Sequence, residues 1–189
     1  MRRCGWTGDN PLLVAYHDAE WGDPVHDDRT HFEYLALEVM QCGLSWLTIL
    51  KKRDAMRSAF DRFDYERIAS YGELDIQRLM EYEGIIHSRK KIEAIIKNAR
   101  VFMEIQREFG SFDTFIWSFT DGKTVEYPGH ADGTDIPARN GLSDQISGEL
   151  KRRGCSFLGS ITIYSHLQAA GIINDHNEYC YKYVCRLQC

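Results

Sequence analysis

The sequence lacks three features that would place it in other classes of protein: long apolar runs, sustained period-two alternation and an excess of positive charge. A helix that spans a bilayer needs roughly 18 or more apolar residues, and no segment of this chain approaches that length. We therefore expect no association with a membrane. The basic first residues are not followed by the apolar stretch of a secretory signal, so a cytoplasmic location is expected.

The missing period-two alternation argues against a β protein, whereas helical periodicity is strong. Apolar residues recur at spacings of three and four in two segments, which are Phe32, Leu35, Ala36, Val39 and Met40, and Ile92, Ile95, Ile96, Ala99, Phe102 and Met103. These stripes predict an all-α fold. We expect residues 1–189 to form one compact unit of two helical lobes that share a cleft.

Further helices are expected over residues 44–60 and 160–170, the second of which would end at Gly171. Shorter helices are expected to begin at four residues whose side chains suit an N-cap, namely Asp64, Asp75, Ser111 and Ser143. A short extended piece is possible at residues 124–127. Residues 121–141 are rich in glycine, aspartate and proline, which predicts a surface loop between the lobes.

The net charge of −5 argues against a protein that binds DNA over its whole surface, although a local basic face is compatible with it. One candidate lies at residues 83–87, where Gly84 predicts a tight turn before a helix that opens with Arg89, Lys90 and Lys91. Backbone N–H groups at such a helix start suit a phosphate. An ordinary connection between helices, with a solvated basic turn, explains this pattern equally well.

Six cysteines are many for a chain expected in a reducing compartment, where metal ligation is a better interpretation than disulfide formation. A complete tetrahedral set for zinc is available from Cys4, His17, His176 and Cys180. Four protein ligands leave no open position, so such a site would be structural and would tie both ends of the chain together. The alternative is a set of free cysteines and surface histidines.

Long motifs that cover nearly the whole chain occur together. They are RCGW (residues 3–6), YHDAEWG (16–22), LEVMQCGLSW (37–46), LKKR (50–53), GII (84–86), KI (91–92), FIWSF (115–119), KRRG (151–154) and the stretch from Phe157 through NDH (174–176) to Cys180. This combination resembles the bacterial 3-methyladenine DNA glycosylase I family of the helix-hairpin-helix superfamily. The resemblance implies a monofunctional, monomeric repair enzyme that hydrolyses the N-glycosidic bond of 3-methyladenine in alkylated double-stranded DNA.

The resemblance also implies roles for individual residues. It implies one structural zinc ion, held by Cys4, His17, His176 and Cys180. It implies a pocket for an extruded base that contains the catalytic residue Glu38 and the aromatic residues Tyr16, Trp46, Trp21 and Trp6. It implies DNA contacts by Gly43, Leu44, Gly84, Ile85, Ile86, Arg89 and Lys91, with Leu44 filling the gap in the base stack.

These residue types suit the implied chemistry. Aromatic rings stack on a flat cationic purine and attract its charge, and the carboxylate of Glu38 would balance that charge. Ordinary adenine is neutral and lacks this match, so selectivity follows. The resemblance implies no catalytic aspartate of the kind that many related glycosylases carry, and Asp175 is interpreted as a residue beside the metal ligand His176. Water would attack the sugar directly.

Three residues depart from the family pattern: Leu13, where some members have an aromatic residue, Met40, where a glutamine is expected, and Cys42, where an alanine is expected. We expect Leu13 to weaken base stacking. We expect Met40 to remove a polar contact to the pocket or to DNA. Both changes bear on substrate range.

Two rival functions are a non-catalytic binder of alkylated or distorted DNA and a zinc hydrolase with an open coordination position. The combination of Glu38, Tyr16 and Trp46 argues against the first, because a pure binder would not need all three. The fourth candidate ligand, Cys180, argues against the second. The pocket aromatics also suit a plain hydrophobic core, and that alternative would leave a helical protein without an assigned role.

Overall fold

Ten α-helices and two short strands make up the described part of this computed structural model, which covers residues 2–127 and 136–186. The helices are α1 (Pro11–Ala19), α2 (Asp28–Gln41), α3 (Trp46–Ala59), α4 (Tyr65–Ala69), α5 (Glu73–Glu81), α6 (Arg89–Phe109), α7 (Phe112–Trp117), α8 (Gly141–Arg153), α9 (Ser160–Ala169) and α10 (Tyr181–Arg186). Single helical turns lie at Gly5–Thr7, Asp61–Phe63 and Ser118–Thr120. None of the described helices combines the length and apolar character that a membrane span requires.

Two of the four predicted N-caps are confirmed. The Asp64 side chain accepts a hydrogen bond from the backbone N–H of Arg67 at the start of α4, and Ser111 accepts one from Thr114 at the start of α7. In both cases a short polar side chain takes up a donor that has no partner within the helix.

The other two predicted N-caps are wrong by three residues. α5 begins after Gly72 and α8 begins after Asn140, so Asp75 and Ser143 lie inside the first turn. Each accepts a hydrogen bond from the N–H of the true cap residue, Gly72 to Asp75 at 3.0 Å and Asn140 to Ser143 at 2.9 Å. This is the reciprocal half of a capping box, whose side-chain chemistry resembles that of an N-cap.

Hydrophobic periodicity does not indicate helix α1, which was not predicted from the sequence. Its start is nevertheless encoded locally, because Pro11 occupies the first helical position and the Asn10 side chain accepts from the N–H groups of Leu12 and Leu13. The helix is short and carries Tyr16 and His17 as its buried residues.

The core lies around α2 and α6, and the predicted stripes on these helices are confirmed. Every residue of the α2 stripe is buried, and so is the α6 stripe except for Met103, which is half-buried. α6 packs against α2, α4, α5 and α7, while α9 packs against α2 and α8. The buried apolar side chains form one continuous cluster, apart from Cys4, Tyr16 and Cys180. The division into two lobes stays a prediction.

The extended piece expected at residues 124–127 is confirmed as part of a minimal sheet. β1 (Val125–Glu126) pairs in parallel with β2 (Ile173–Asn174), with Val125 opposite Ile173. The fold is thus helical apart from this one ladder within the described residues. The loop predicted at residues 121–141 contains β1 and lies partly outside the described residues.

Two histidines are completely buried where α2, α7 and α9 meet. His31 Nδ1 lies 3.4 Å from His166 Nε2, and His31 Nε2 lies 3.4 Å from Asp113 Oδ1, which also contacts the exposed His26 ring at 3.2 Å. Burial lowers the pKa of His31, opposed by Asp113 and Asp28. Burial also lowers the pKa of His166 well below its ordinary value, and the neighbouring His31 adds to this effect.

We expect this pair to make the folded state sensitive to acid. The folded pKa lies below the unfolded value, so the unfolded chain binds more protons and the free energy of unfolding falls as the pH drops below about 6.5. Urea unfolding at pH 7.5 and 5.0 measures the effect. The free energy of unfolding should fall by roughly 1 kcal/mol less between the two pH values in His166→Gln than in the parent protein. His87→Gln, at an exposed histidine, should behave like the parent. An equal loss in all three proteins would contradict the assignment.

Candidate active-site cleft and metal centre

A cleft of about 270 Å³ opens between the N-terminal segment, α2, the start of α3 and α9. Aromatic and polar side chains line it together, which are Trp6, Tyr16, Trp21, Glu38, Gln41, Trp46, Ile136, Ser165 and Gln168. The structure therefore brings the five pocket residues predicted from the sequence to one place. A concave site of this composition suits a flat organic group that carries polar edges.

Glu38 is the acidic residue of the cleft. It lies on α2 with only 5% of its surface exposed, and no described residue forms an ion pair with it. Burial raises the pKa of its carboxyl to about 8, because the charged form loses its hydration. An acid with no counter-ion in a cavity is a candidate partner for a cationic ligand.

Four aromatic rings form the wall around this carboxyl. Tyr16 and Trp46 have ring centroids 5.2 Å apart, and Trp6 and Trp21 meet edge-to-face at 5.1 Å. The Trp46 indole N–H is buried and has no hydrogen-bond partner among the described residues. Burial raises the pKa of Tyr16 well above its ordinary value, so its hydroxyl stays protonated. The wall thus combines π-faces with a spare donor.

Behind the cleft, four buried side chains converge from the two ends of the chain: Cys4, His17, His176 and Cys180. Their ligand atoms all lie within 4.8 Å of one another. The sulfur-to-nitrogen distances are 3.5 Å from Cys4 to His176, 3.3 Å from Cys180 to His17 and 3.7 Å from Cys180 to His176. A tetrahedral zinc ion requires about 3.5 Å between such atoms. The donor set therefore fits zinc in both type and spacing.

The surroundings of this cluster orient its ligands. His17 Nδ1 lies 2.9 Å from Asp18 Oδ1, which leaves Nε2 directed at Cys180. The Arg3 guanidinium, together with the hydrogen bond from His17, holds the pKa of Asp18 well below its usual range. The backbone N–H of Asn177 donates to Cys4 Sγ at 3.4 Å. A fixed histidine tautomer and a hydrogen bond to sulfur are typical of metal centres.

The cluster and the cleft share a wall. His17 follows Tyr16 on α1, the Trp6 ring lies 5.6 Å from the His17 ring, and Trp21 lies edge-to-face on His176 at 4.7 Å. Three of the four aromatic residues of the cleft are thus in contact with, or adjacent to, a candidate metal ligand. Ordering of the cluster also orders the cleft.

The predicted hairpin connects α5 and α6. Gly84 has a φ of +87°, which an L-residue rarely adopts, and a Cβ atom there would lie 3.1 Å from Ala55. Lys52 Nζ donates to the carbonyls of Gly84 and Ile85 at 3.0 and 3.3 Å. Ile85 is buried and Ile86 half-buried. The turn is therefore fixed by packing on α3.

The junction between α2 and α3 carries the other predicted DNA-contacting residues. Gly43 has a φ of +80°, and the N–H of Leu44 donates to the Gln41 carbonyl at 2.6 Å. The Leu44 side chain is 42% exposed. An apolar side chain directed into solvent beside the cleft is available for contact with another molecule.

Comparison with known proteins agrees with this arrangement. A family model described as methyladenine glycosylase matches residues 6–183. The chain is 43% identical over 176 residues to DNA-3-methyladenine glycosylase 1 of Escherichia coli (strain K12), which covers 93% of this chain and 94% of that relative. It is 40% identical over 180 residues to DNA-3-methyladenine glycosylase of Haemophilus influenzae, with 94% and 96% covered.

The chain belongs to the methyladenine glycosylase family. A solved structure of 3-methyladenine DNA glycosylase I from Staphylococcus aureus, described as the basis of 3-methyladenine recognition, superimposes with a TM-score of 0.92. It is 39% identical and covers 97% of both chains. The superposition therefore confirms that this chain has the fold of the family, as the resemblance implied.

The DNA contact predicted for Lys91 stays a prediction, and its position in this family member favours a role within the protein. Lys91 was expected to contact DNA, but it is 9% exposed and its Nζ donates to the carbonyls of Met40 and Cys42 at 2.8 and 2.7 Å. The ammonium group thereby binds the last carbonyls of α2, where the helix dipole is negative. Arg89 remains exposed, although its guanidinium pairs with Glu73 and Glu93.

The structure also corrects the expectations for Met40 and Leu13. The Met40 side chain is fully buried in the core, so it does not replace a polar group of the cleft. Gln41 lines the cleft instead, because it follows Glu38 by nearly one helical turn. Leu13 is half-buried on α1 and is not among the described residues that line the cleft.

Four lining residues were missed by the sequence analysis: Gln41, Ile136, Ser165 and Gln168. Ser165 and Gln168 are polar residues three apart on α9, a spacing that places both on one face of the helix. That signal was present in the sequence. Ile136 lies in the segment predicted as a surface loop, and its position depends on tertiary structure.

Asp175 has a structural environment, as expected. It is buried, and its Oδ2 accepts hydrogen bonds from Tyr164 at 2.7 Å and Gln168 at 2.8 Å. These contacts join α9 to the segment that carries His176. The same bonds orient the Gln168 side chain at the edge of the cleft.

Proposed function

We propose that this protein is a DNA repair glycosylase that removes 3-methyladenine from alkylated double-stranded DNA. The observation that carries the proposal is the buried, uncompensated Glu38 carboxyl inside an aromatic cleft. The names of its relatives support the same reaction. A base within a duplex is inaccessible, so the damaged nucleotide is extruded into the cleft.

The charge of Glu38 explains the preference for an alkylated base. A purine methylated at N3 and bound to sugar at N9 carries a fixed positive charge, because it has no proton to release. Its entry favours the ionised carboxylate, and the pocket releases a proton at neutral pH because the pKa of the empty site is about 8. Neutral adenine gives no such compensation, so normal DNA is bound weakly.

The aromatic wall supplies the remaining contacts. Tyr16 and Trp46 stack on the faces of the base, with Trp6 and Trp21 behind them, and cation–π attraction adds to stacking for a charged ring. The free Trp46 N–H is a donor for an acceptor on the base. Because these groups are fixed before the base arrives, little ordering cost is incurred on binding.

The chemical step is hydrolysis of the bond between N9 and C1′. Its electron pair moves to the base, which becomes neutral and leaves, while a water oxygen bonds to C1′ and releases a proton to solvent. Positive charge passes to the sugar as the bond breaks, and DNA phosphates and the Glu38 carboxylate stabilise it. The alkylated base is a good leaving group, so no catalytic aspartate is required.

DNA is held by the surfaces around the cleft mouth. We assign the hairpin from Gly84 to Ile86 and the adjacent Arg89 to a backbone phosphate, and Leu44 with Gly43 to the gap left in the base stack. Lys91 acts indirectly, since it fixes the end of α2 that precedes Gly43. All of these parts come from one chain, which favours a monomer.

The cysteine and histidine cluster is assigned to one zinc ion. Bound zinc would supply a structural cross-link through Cys4, His17, His176 and Cys180, with no position open to water. The residues around the cluster hold His17 in one tautomer and place Trp21 and Tyr16 on the cleft side. This site would contribute to the reaction by keeping the wall of the cleft rigid.

Base release from methylated duplex DNA tests the proposed function. Chromatography of the products should show free 3-methyladenine in amounts that depend on enzyme and time. DNA binding without release would overturn the catalytic proposal and favour a damage-binding protein on the same fold. Release that persists in a folded, metal-free protein would exclude the zinc hydrolase.

A further inference from the structure

An exposed phenylalanine with an unfavourable backbone conformation lies in the loop between α8 and α9. Phe157 has a φ of +61° and is 41% exposed. Left-handed backbone is rare for bulky residues, and partial exposure gives the ring little reward from burial. Such a residue persists only where the surrounding structure determines it, and these positions are often functional.

The residues on both sides of Phe157 are fixed by hydrogen bonds. Asn98 on α6 donates to the Ser156 carbonyl at 2.9 Å and accepts from the Ser156 N–H at 2.8 Å. Ser147 on α8 donates to the carbonyl of Leu158 at 2.8 Å, and Leu158 is buried. The backbone on both sides of Phe157 is therefore held in place by α6 and α8.

Two lysines share a surface groove of about 280 Å³ with this ring. Lys90 and Lys97 are exposed, lie seven residues apart on one face of α6 and line the groove with Phe157. Neither has an acidic partner among the described residues. The one carboxylate of the groove, Glu93, is paired with Arg89. An aromatic ring flanked by two unpaired ammonium groups suits a ligand with an apolar surface and negative charges.

The groove adjoins the surface assigned to DNA. Lys90 precedes Lys91, whose Nζ binds the carbonyl of Cys42 at 2.7 Å. Cys42 Sγ in turn lies 3.9 Å from Thr162 Oγ1 on α9, five residues after Phe157. The start of α6 and the start of α9, which flank the groove, therefore both contact Cys42, the residue before Gly43.

We propose that Phe157, Lys90 and Lys97 form a further DNA contact beside the lesion, which extends the surface of the hairpin and Arg89 along α6. The Phe157 ring packs on the deoxyriboses of the flanking duplex, and the two ammonium groups neutralise backbone phosphates. This contact rests on the proposed function, because the DNA surface is what gives the groove its occupant. It adds affinity and positioning, and it does not touch the extruded base.

Affinity and its salt dependence test the contact, with a duplex that contains a stable abasic-site analogue as the probe. The double variant Lys90→Gln and Lys97→Gln should reduce the slope of log affinity against log salt concentration by about 1.8. Arg107→Gln removes an exposed cation from the far end of the same helix and should leave the slope unchanged. An unchanged slope in the double variant would overturn the phosphate contact.

A substitution of Phe157 tests the ring. Asparagine tolerates the left-handed region, so Phe157→Asn should keep the loop and the melting temperature while it weakens binding about 10-fold with no change in slope. Phe157→Tyr should bind like the parent protein. Equal affinity in all three proteins would overturn the ring contact. If Phe157→Asn melts at a lower temperature, the salt slope of the double lysine variant alone decides whether the groove contacts DNA.

The two proposals fail in different ways. Absence of base release by the parent protein overturns the proposed enzyme, yet the salt slope still reports the groove. Normal base release with parental slope and affinity in both variants overturns the groove alone. Single-turnover release at saturating DNA should stay within about 2-fold of the parent in the variants, because the cleft is untouched.

Discussion

Glu38→Gln is expected to lower kcat/KM for base release by roughly 10- to 100-fold, the cost of losing a charged partner in a buried site. Glutamine keeps the shape of the side chain but supplies no negative charge for the cationic base. Initial rates of base release at several concentrations of methylated duplex DNA measure the effect. Glu104→Gln, at an exposed residue of α6, is the matched control and should behave like the parent. An undiminished kcat/KM would remove Glu38 from the mechanism.

The pH dependence of the same pair of proteins sharpens this expectation. kcat/KM reports ionisations of the free enzyme, and the carboxyl must be ionised to meet the base. With a pKa of about 8 in the empty cleft, kcat/KM of the parent should rise with pH up to about 8 and then level off. The glutamine variant should lack this rise. A common profile for both proteins would assign the ionisation to another group.

The same carboxyl should destabilise the folded protein at alkaline pH. Its folded pKa is raised above the unfolded value, so its contribution to stability is fully present below about pH 4.5 and is lost as the pH rises through 8. The glutamine variant avoids this loss. We expect it to unfold with a free energy higher by on the order of 3 kcal/mol at pH 8. A gain in stability together with a loss of activity separates a functional residue from a structural one.

Loss of the metal centre is expected to lower the melting temperature by roughly 10 °C or more, because binding to the folded state alone adds directly to stability. A strong chelator, or Cys180→Ser, should remove about one zinc ion per chain by elemental analysis and produce this shift. Cys155→Ser is the control, because Cys155 is a half-buried free cysteine that is not part of the four-residue set.

The effect on catalysis should separate the cross-link from a reacting metal. Below its new melting temperature, the metal-free protein should still release base, with weaker binding because the wall formed by Tyr16 and Trp21 is less rigid. Complete loss of release in a folded apoprotein would indicate a metal that takes part in the reaction. A parent protein purified without any metal, and with an unchanged melting temperature after chelation, would remove zinc from the proposal.

The sequence predicts the helices of the core well because their pattern depends on burial alone. The stripes on α2 and α6 repeat with the period of a helix, so their buried faces are visible without a structure. α1 carries no comparable stripe and was not predicted, although its cap at Asn10 and Pro11 is a local signal for its start. Asp75 and Ser143 were wrongly predicted as N-caps, because the residue types that accept a hydrogen bond at the third position of a capping box also suit the N-cap itself.

The site was predictable where residues act through their own chemistry and unpredictable where they act through position. Glu38 was named from the family resemblance. The four candidate metal ligands were named because their side chains are of the types that bind zinc and because the resemblance implies the same four. Lys91 could not be placed, because a lysine in a basic helix start is equally suited to a phosphate and to a nearby carbonyl. Only tertiary packing, which brings the end of α2 against α6, decides between them.

The separation of the four candidate metal ligands along the chain has a consequence for biosynthesis. Cys4 and His176 are 172 residues apart, so at roughly 5–20 residues per second the second half of the set leaves the ribosome about 10–30 seconds after the first. During that interval the nascent chain has only one thiol and one imidazole of the four-residue set, Cys4 and His17. Trp6, Tyr16 and Trp21 pack around this cluster. A chain truncated before Cys180 would therefore lack both the complete set of candidate ligands and an ordered cleft wall. Under the proposed zinc assignment, the cleft wall would therefore be completed only after Cys180 has been translated.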